Sequence, residues 1–252
     1  MKTYDYIQET KSPPEKLAQR KVLYQLFAER PMPDDQLLVN LGLYMRSSAL
    51  AKVLFLNELY EYIRDIPGVI MEFGTWWGQN LVLFEHLRAI YEPFNQTRRV
   101  IGFDTFQGYH AISANDVKSE TIKVGGYAVE QGYQEYLERL LTYHESDNVL
   151  SNIKKHVIVQ GDVTQTVPAF FKNNPETVVA LAYFDLALYQ PTRVCLEAVK
   201  AHLIKGSVLM LDELNNTNYP GETIAFREVF GSANLTLRRS RYIADRTIAI
   251  VG

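Results

Sequence analysis

From residue 69 onward, short apolar runs alternate with longer stretches whose apolar residues recur at helical spacing. The first five runs are continuous, which is typical of strands buried on both faces of a parallel sheet. These predicted strands cover residues 69–73, 99–103, 157–160, 178–184 and 208–211. Helices are predicted at residues 79–91, 133–144, 167–172, 191–203 and 223–230. The alternation predicts a doubly wound α/β domain.

Two more strand-like runs follow, at residues 235–239 and 247–251. The short interval between them allows an antiparallel hairpin that extends the sheet. We therefore predict a mostly parallel, Rossmann-like sheet of seven strands.

Residues 1–67 lack this alternation and predict helices instead. A capping hydroxyl and prolines at residues 12–15 indicate a helix that runs to about Glu29, and a second helical region is expected between residues 34 and 66. We predict an N-terminal helical extension over residues 1–67, which covers the mouth of the site and forms a subunit interface. The α/β domain is predicted over residues 68–252.

The composition restricts the partners of the protein. Hydrophobic residues make up 47% of the 252 residues and charged residues 22%, which is enough for a sizeable core. A net charge of −3 with scattered basic residues disfavours nucleic acid and anionic membranes. No apolar run approaches the roughly 20 residues of a membrane span. The single cysteine, Cys195, excludes an intramolecular disulfide and indicates a reducing, cytoplasmic setting.

Acidic residues follow four of the predicted strands, at Asp104, Asp162, Asp185 and the pair Asp212-Glu213. A single acid after a strand is commonly a helix or turn cap. Ligands of open α/β sheets bind beyond the carboxyl ends of the strands, however. The recurrence therefore predicts a crevice lined by acceptor groups.

The first strand leads into Glu72-Phe73-Gly74-Thr75-Trp76-Trp77-Gly78, which resembles the E-x-G-x-x-x-G motif that binds S-adenosylmethionine (SAM). The two glycines suit close backbone approach and a tight turn into a helix. Trp76 replaces the middle glycine of the dinucleotide pattern and so disfavours a pyrophosphate. A strand–helix turn without a ligand stays open as an alternative.

Asp104 and Asp162 suit the nucleoside part of SAM. Asp104 ends the second strand, where a carboxylate can accept hydrogen bonds from both ribose hydroxyls. It lies 30 residues after Gly74, whereas dinucleotide binders place their acid about 20 residues on. Asp162 follows the third strand and is placed to accept from the adenine amine.

Five segments resemble the macrocin O-methyltransferase family of class I SAM-dependent methyltransferases, and within it the calicheamicin-type branch of sugar O-methyltransferases. They are "MEFGTWWGQNL", "RRVIGFDTFQGY", "VIVQGDV", "LAYFDLALYQPT" and "LMLDELNN". The resemblance runs from about Leu41 to about Phe230. It implies methylation of a sugar hydroxyl on a glycosylated natural product or nucleotide sugar. It also implies a divalent metal and a homo-oligomer.

The resemblance also implies roles for individual residues. The cofactor-binding positions are Glu72, Gly74, Thr75, Gly78, Asp104, Thr105 and Asp162. Asp185 would be the general base, and Asp212 and Glu213 would ligate Mg²⁺, which prefers such oxygen ligands. The family pattern D-x-D-x-Y reads Asp185-Leu186-Ala187-Leu188-Tyr189 here, so Ala187 stands where a metal-binding aspartate is expected.

The long segment 107–132 contains four glycines and two tyrosines, with Tyr133 directly after it, and could form a mobile lid whose aromatic rings stack on a sugar. An ordinary surface loop is an equal alternative. His110 in this segment could enter the site, although a solvated loop histidine fits better.

Several alternatives stay open. A dinucleotide-dependent dehydrogenase or epimerase is disfavoured by Trp76. Within the methyltransferases, the product could be a C-methyl group or a phenol ether. Ala187 raises the hypothesis of a weakened catalyst or a SAM-binding protein without activity, unless it simply packs.

Overall fold

The computed structural model describes residues 13–119, 122–231 and 234–252. Seven strands form one sheet: β1 Val69–Phe73, β2 Val100–Asp104, β3 His156–Gln160, β4 Val179–Phe184, β5 Leu203–Leu211, β6 Leu235–Arg239 and β7 Thr247–Val251. Their order is β3-β2-β1-β4-β5-β7-β6. Strands β1 to β5 pair in parallel, and β7 pairs antiparallel with both β5 and β6. The predicted doubly wound sheet with a terminal hairpin is confirmed.

The helices of the described residues are α1 Pro14–Ala28, α2 Asp34–Leu37, α3 Ser47–Ile63, α4 Gln79–Tyr91, α5 Tyr133–Ser146, α6 Val163–Asn173, α7 Tyr189–Lys200 and α8 Pro220–Phe230. Helix α6 begins four residues earlier than predicted, because Asp162 caps it. Strand β5 begins five residues earlier than predicted and takes the end of the predicted helix at residues 191–203. Its first half contains Lys205, Gly206 and Ser207, so this part lacks the continuous apolar run by which the other strands were predicted.

The second predicted helical region, residues 34–66, consists of several short helical elements and α3 and not of one continuous helix. Helix α2 ends after four residues, a 3₁₀ turn covers Leu41–Tyr44, and the chain is extended at Arg46 before α3 begins. The Asn40 side chain donates to the carbonyl oxygen of Gln36 at 2.9 Å, a local bond that competes with helix continuation. The predicted cap at residue 12 lies outside the described residues, and Pro14 opens α1.

Helix α3 packs in the core of the α/β domain. Its side chains Phe55, Leu56 and Leu59 are fully buried and share an apolar cluster with α4, α5 and one face of the sheet. The opposite face packs against α6, α7 and α8. The predicted division between residues 67 and 68 stays a prediction, but a chain that begins at residue 68 would lose this core helix.

Helix α1 and the two residues that follow α2 leave apolar side chains exposed. Val22, Tyr24 and Leu26 are each more than half exposed, and Leu38 and Val39 more than three quarters. Exposed apolar patches of this kind often mark interaction surfaces. No helix of the described residues has the length and apolarity to cross a membrane.

Candidate active site

Four carboxylates lie at the carboxyl edge of the sheet on the face that α3, α4 and α5 cover. They are Glu72, Asp104, Asp185 and Asp212. Successive side chains of a strand point to opposite faces, and each of these acids stands two residues after a position that faces this side. Asp185 lies close enough to raise the pKa values of the other three, although burial raises each of them more.

Glu72 lies at the start of the glycine loop and is only 1% exposed. Asn80 donates to its Oε1 at 2.5 Å, and among the described residues Oε2 has no hydrogen-bond partner. Burial raises the pKa of Glu72 to about 8, against the lowering effects of Asn80 and Lys52. A buried carboxylate oxygen without a donor is costly. A ligand that places a hydrogen-bond donor beside this oxygen, such as the amino group of the methionine part of SAM, would relieve that cost.

Gly74 is required by the fold itself. Its φ is +90°, and a Cβ there would lie 2.1 Å from the carbonyl oxygen of Asp185. Gly78 has φ +77° and makes the predicted turn into α4, and a Cβ there would lie 2.4 Å from a side-chain carbon of Leu137. The sequence predicted that Gly74 faces a ligand, whereas the structure places the Asp185 carbonyl oxygen against it. Because β1 and β4 come this close, Asp185 lies beside the glycine loop.

Asp104 joins the two loops that follow β1 and β2. Its Oδ2 accepts from the backbone N–H of Trp76 at 2.7 Å, and its Oδ1 accepts from that of Phe106 at 2.6 Å. Each carboxylate oxygen can accept a second hydrogen bond, so the predicted ribose contacts fit beside these two. Thr105 closes the turn by donating to the carbonyl oxygen of Gly108 at 2.9 Å.

Asp162 caps α6. Its Oδ1 accepts from both the backbone N–H and the hydroxyl of Thr164, at 2.9 and 2.8 Å. This is the capping role that a single acid after a strand commonly has. The adenine contact stays a prediction, which would use the other oxygen.

The remaining acids occupy the end of the crevice beyond β4 and β5. Asp185 is exposed, whereas Asp212 is buried and ion-paired with Arg246. Glu213 accepts from the side chain of Asn216, and its backbone N–H donates to the buried Glu222 at 2.7 Å. Burial raises the pKa of Glu213 to about 7, against the effects of Asn216 and Arg246.

Three charged residues of this region were missed at the sequence level: Lys52, Glu222 and Arg246. The Lys52 Nζ donates to the hydroxyl of Tyr183 at 2.6 Å and lowers the pKa values of Glu72 and Asp212, which burial raises. None of the three follows a parallel strand. Arg246 alone had a signal, since it directly precedes the last strand of the predicted hairpin.

Ala187 has φ +60°, a left-handed conformation that aspartate tolerates better than alanine. Its side chain nevertheless packs in an apolar cluster with Ile122, Leu188 and Tyr219. The described residues offer no ligand at the position where the family pattern has an aspartate. Ala187 therefore packs, as one of the alternatives expected.

The described parts of the segment 107–132 contribute Ile122, Tyr109 and Ile112 to this cluster. Asp116 anchors the segment, because its Oδ1 accepts from the backbone N–H of Tyr189 at the start of α7, at 2.8 Å. Tyr127 contacts both Trp76 and Tyr109 edge to face, at ring-centroid distances of 5.9 and 5.6 Å. These three rings make an aromatic wall that runs from the glycine loop along the crevice. His110 is exposed, as expected for a loop histidine.

Among the described residues, one group of three side chains has metal-ligand spacing: Glu85, Glu145 and His156. All three are buried, and they lie on α4, α5 and β3 respectively. Arg88 and Lys155 already pair with Glu145 at 2.6 and 2.7 Å, so we interpret the group as a buried ion network. Asp212 and Glu213 belong to no such group in the described part of the chain, and their predicted role as metal ligands stays a prediction.

Comparison with known proteins identifies the family. No family model matches the chain, and none of the curated proteins matches it. A crystal structure of the calicheamicin methyltransferase CalS11 is 39% identical, covers 98% of this chain and 95% of its own, and superposes with a TM-score of 0.92. An apo structure of CalS11, described as a TDP-rhamnose 3'-O-methyltransferase, is 37% identical over 98% and 97%, with a TM-score of 0.84.

The O-methyltransferase NovP shares the fold more distantly, with 18% identity over 78% of each chain and a TM-score of 0.56. The sheet, the glycine loop and the acids beyond its strands define a class I, SAM-dependent methyltransferase. More specifically, the chain belongs to the calicheamicin-type branch of the sugar O-methyltransferases, which confirms the resemblance seen in the sequence.

Proposed function

We propose that this enzyme methylates a hydroxyl of a sugar that is destined for, or attached to, a glycosylated natural product, with a nucleotide sugar as the first candidate acceptor. The observation that carries the proposal is the position of Asp185. It is the exposed carboxylate between the glycine loop and the acids beyond β5. The near full-length similarity to a TDP-rhamnose 3'-O-methyltransferase supports the acceptor class.

The cofactor contacts follow from the loops. SAM, when bound, supplies a methyl group on a positively charged sulfur. Glu72 and Thr75 each hold a buried side-chain oxygen without a partner among the described residues. Asp104 has acceptor capacity left for the ribose hydroxyls, and Asp162 is proposed for the adenine amine.

Asp185 is proposed as the general base. A sugar hydroxyl is a weak nucleophile, and a carboxylate that takes its proton makes the oxygen reactive. Asp185 would accept the hydroxyl proton, and the methyl group that bound SAM supplies would pass to that oxygen, with the neutral thioether as the leaving group. The aromatic wall of Trp76, Tyr109 and Tyr127 offers apolar ring faces and edges to an acceptor sugar.

Assistance by Mg²⁺, which the resemblance implies, fits these residues poorly. Asp212 and Glu213 are oxygen donors of the right type. Arg246 already contacts the carboxylate of Asp212, however, and Ala187 brings no ligand. The proposed reaction therefore depends on protein side chains and not on a metal ion.

The exposed apolar side chains of α1 and of the residues that follow α2 support a homo-oligomer in which the N-terminal helices form the interface and shield the site. We also propose that the enzyme works in the cytoplasm, since its single cysteine is free and buried.

The test is methyl transfer from SAM to TDP-rhamnose, followed by mass spectrometry of the sugar nucleotide. The variant Asp185→Asn should reduce kcat by about a hundredfold or more and leave the Kd for SAM within a few-fold. Asp65→Asn changes an exposed aspartate outside the site and should behave as wild type. If Asp185→Asn is fully active, Asp185 is not the general base. If the enzyme methylates simple phenols but no sugar, the proposed acceptor class is wrong.

Ala187 favours a second candidate, a SAM-binding protein with little catalytic activity. It would bind SAM with normal affinity and show no turnover on any sugar nucleotide. The same assay separates the two, because SAM binding and methyl transfer are measured on one preparation.

A further inference from the structure

We propose that the guanidinium of Arg246 provides the positive charge at the acceptor end of this site, in place of a divalent metal ion. The inference rests on the proposed function and deepens it, because it states how this chain treats the acceptor without the metal that the resemblance implies. It predicts that the enzyme methylates its acceptor in the absence of metal.

Arg246 is held firmly in place. It precedes β7, whose first residue, Thr247, pairs with Leu211 at the end of β5. Its backbone N–H donates to Ile243 at 3.1 Å, and its carbonyl oxygen accepts from Ser240 at 3.2 Å. The turn between the two hairpin strands therefore delivers this side chain to the carboxyl end of β5.

The Arg246 side chain contacts Asp212 at two points. The Nε contacts the Oδ1 of the carboxylate, and Nη1 donates to the backbone carbonyl oxygen at 3.0 Å. The Arg246 side chain is 21% exposed and that of Asp212 is 6% exposed. A buried carboxylate needs such a partner, and arginine keeps its charge at every accessible pH.

The same contact disfavours a metal ion at Asp212. Mg²⁺ requires near-octahedral oxygen coordination at about 2.1 Å. One of the two carboxylate oxygens of Asp212, Oδ1, faces Nε of Arg246, and a second cation beside this pair would be repelled by the guanidinium. Where the family pattern has a further aspartate, Ala187 packs among Ile122, Leu188 and Tyr219. The missing ligand at Ala187 and the arginine contact at Asp212 both disfavour a metal ion at this site.

Arg246 acts on the acceptor through Asp212 and is therefore a positioning residue. With its charge balanced, Asp212 can accept a hydrogen bond from a hydroxyl next to the reacting one. Asp185 is left to take the proton of the reacting hydroxyl. A vicinal diol, as in a hexose, fits this pair of carboxylates.

The first test uses the wild-type enzyme after dialysis against EDTA. The rate of TDP-rhamnose methylation should be unchanged, and addition of Mg²⁺ should not raise it. Titration with Mn²⁺, followed by electron paramagnetic resonance, should show only free ion at concentrations near that of the protein. Specific Mn²⁺ binding, or a rate that EDTA abolishes and Mg²⁺ restores, overturns the proposal.

Variants of Arg246 distinguish the effect of its charge from a general structural effect of the substitution. Arg246→Met should raise the KM for the acceptor and lower kcat/KM by about a hundredfold, with an unchanged Kd for SAM, whereas Arg246→Lys should recover much of the loss. Arg64→Met, at an exposed arginine, is the matched control. The double variant Ala187→Asp with Arg246→Met should gain Mn²⁺ binding. Equal kinetics for wild type and Arg246→Met would overturn the role of the guanidinium.

The two proposals can fail separately. If TDP-rhamnose and other sugar nucleotides are not methylated, the proposed acceptor class is wrong. The Mn²⁺ titration needs no acceptor and still decides whether the wild-type site takes a metal ion or keeps the guanidinium.

Discussion

Replacement of Asp104 by alanine should weaken SAM binding by about tenfold to about 150-fold. This range corresponds to the loss of one charge-assisted hydrogen bond, worth about 1.5–3 kcal/mol. The structure also gives the residue a second role, since its oxygens accept from Trp76 and Phe106 at 2.7 and 2.6 Å. The variant should therefore lose stability as well, because two backbone N–H groups lose their charged acceptor.

The two effects are separable by measurement. Thermal unfolding without SAM reports the loop contacts, and titration calorimetry with SAM reports the cofactor contact, provided that the variant is folded at the titration temperature. Asp104→Asn should not rescue binding, because its amide group would face one of the two N–H donors. The exposed Asp65→Ala is the control and should match wild type in both measurements.

The ribose assignment of Asp104 is refuted by one result. If Asp104→Ala is folded by circular dichroism and binds SAM with wild-type affinity, the carboxylate does not contact the cofactor. It would then serve only to join the loops that follow β1 and β2.

Gly74→Ala should lower the free energy of unfolding by at least about 3 kcal/mol in urea denaturation, since its methyl group would overlap the Asp185 carbonyl oxygen at a strained φ; a loss below about 1 kcal/mol would show that β1 and β4 can separate there. Because burial raises the pKa of Glu72 from 4.5 to about 8, the folded protein retains a proton that the unfolded chain releases, and its stability should fall as the pH rises between those two values. Glu72→Gln should flatten this fall, and an identical pH profile would contradict the buried carboxylate. A chain that begins at residue 46 should fold but should no longer self-associate in light scattering, whereas a chain that begins at residue 68 should not fold. A folded oligomer from either chain would contradict the interface at the N-terminal helices.

The sequence predicted the sheet well because each strand carries its own signal. A strand buried on both faces must be apolar throughout, so β1 was placed with its observed bounds. The bounds of β6 and β7 were also predicted correctly, although β6 is an exposed edge strand. Strand β5 was only half predicted, since the residues before Val208 include a lysine, a glycine and a serine. The polar Ser207 is satisfied in the fold by bonds to Ile204 and Val179, which no local pattern reveals.

The acids at the carboxyl edge were also predictable, because parallel strands bring their ends to one edge and the residue after each strand must lie there. What these acids contact was not. Asp162 proved to be a cap, and Asp104 proved to hold two backbone N–H groups. These are hydrogen bonds to loops whose conformation a motif does not specify.

The sequence by itself therefore determined the order and type of the elements of the α/β domain, the family, and the edge at which chemistry occurs. These follow from the periodicity of apolar residues and from short motifs. Only the tertiary structure decided that α3 belongs to the core, that Ala187 packs among apolar side chains, and that Arg246 pairs with Asp212. Arg246 lies 34 residues from Asp212 along the chain. The pairing of β7 with β5 brings them together, because a strand's register sets which side chain reaches the edge of the sheet.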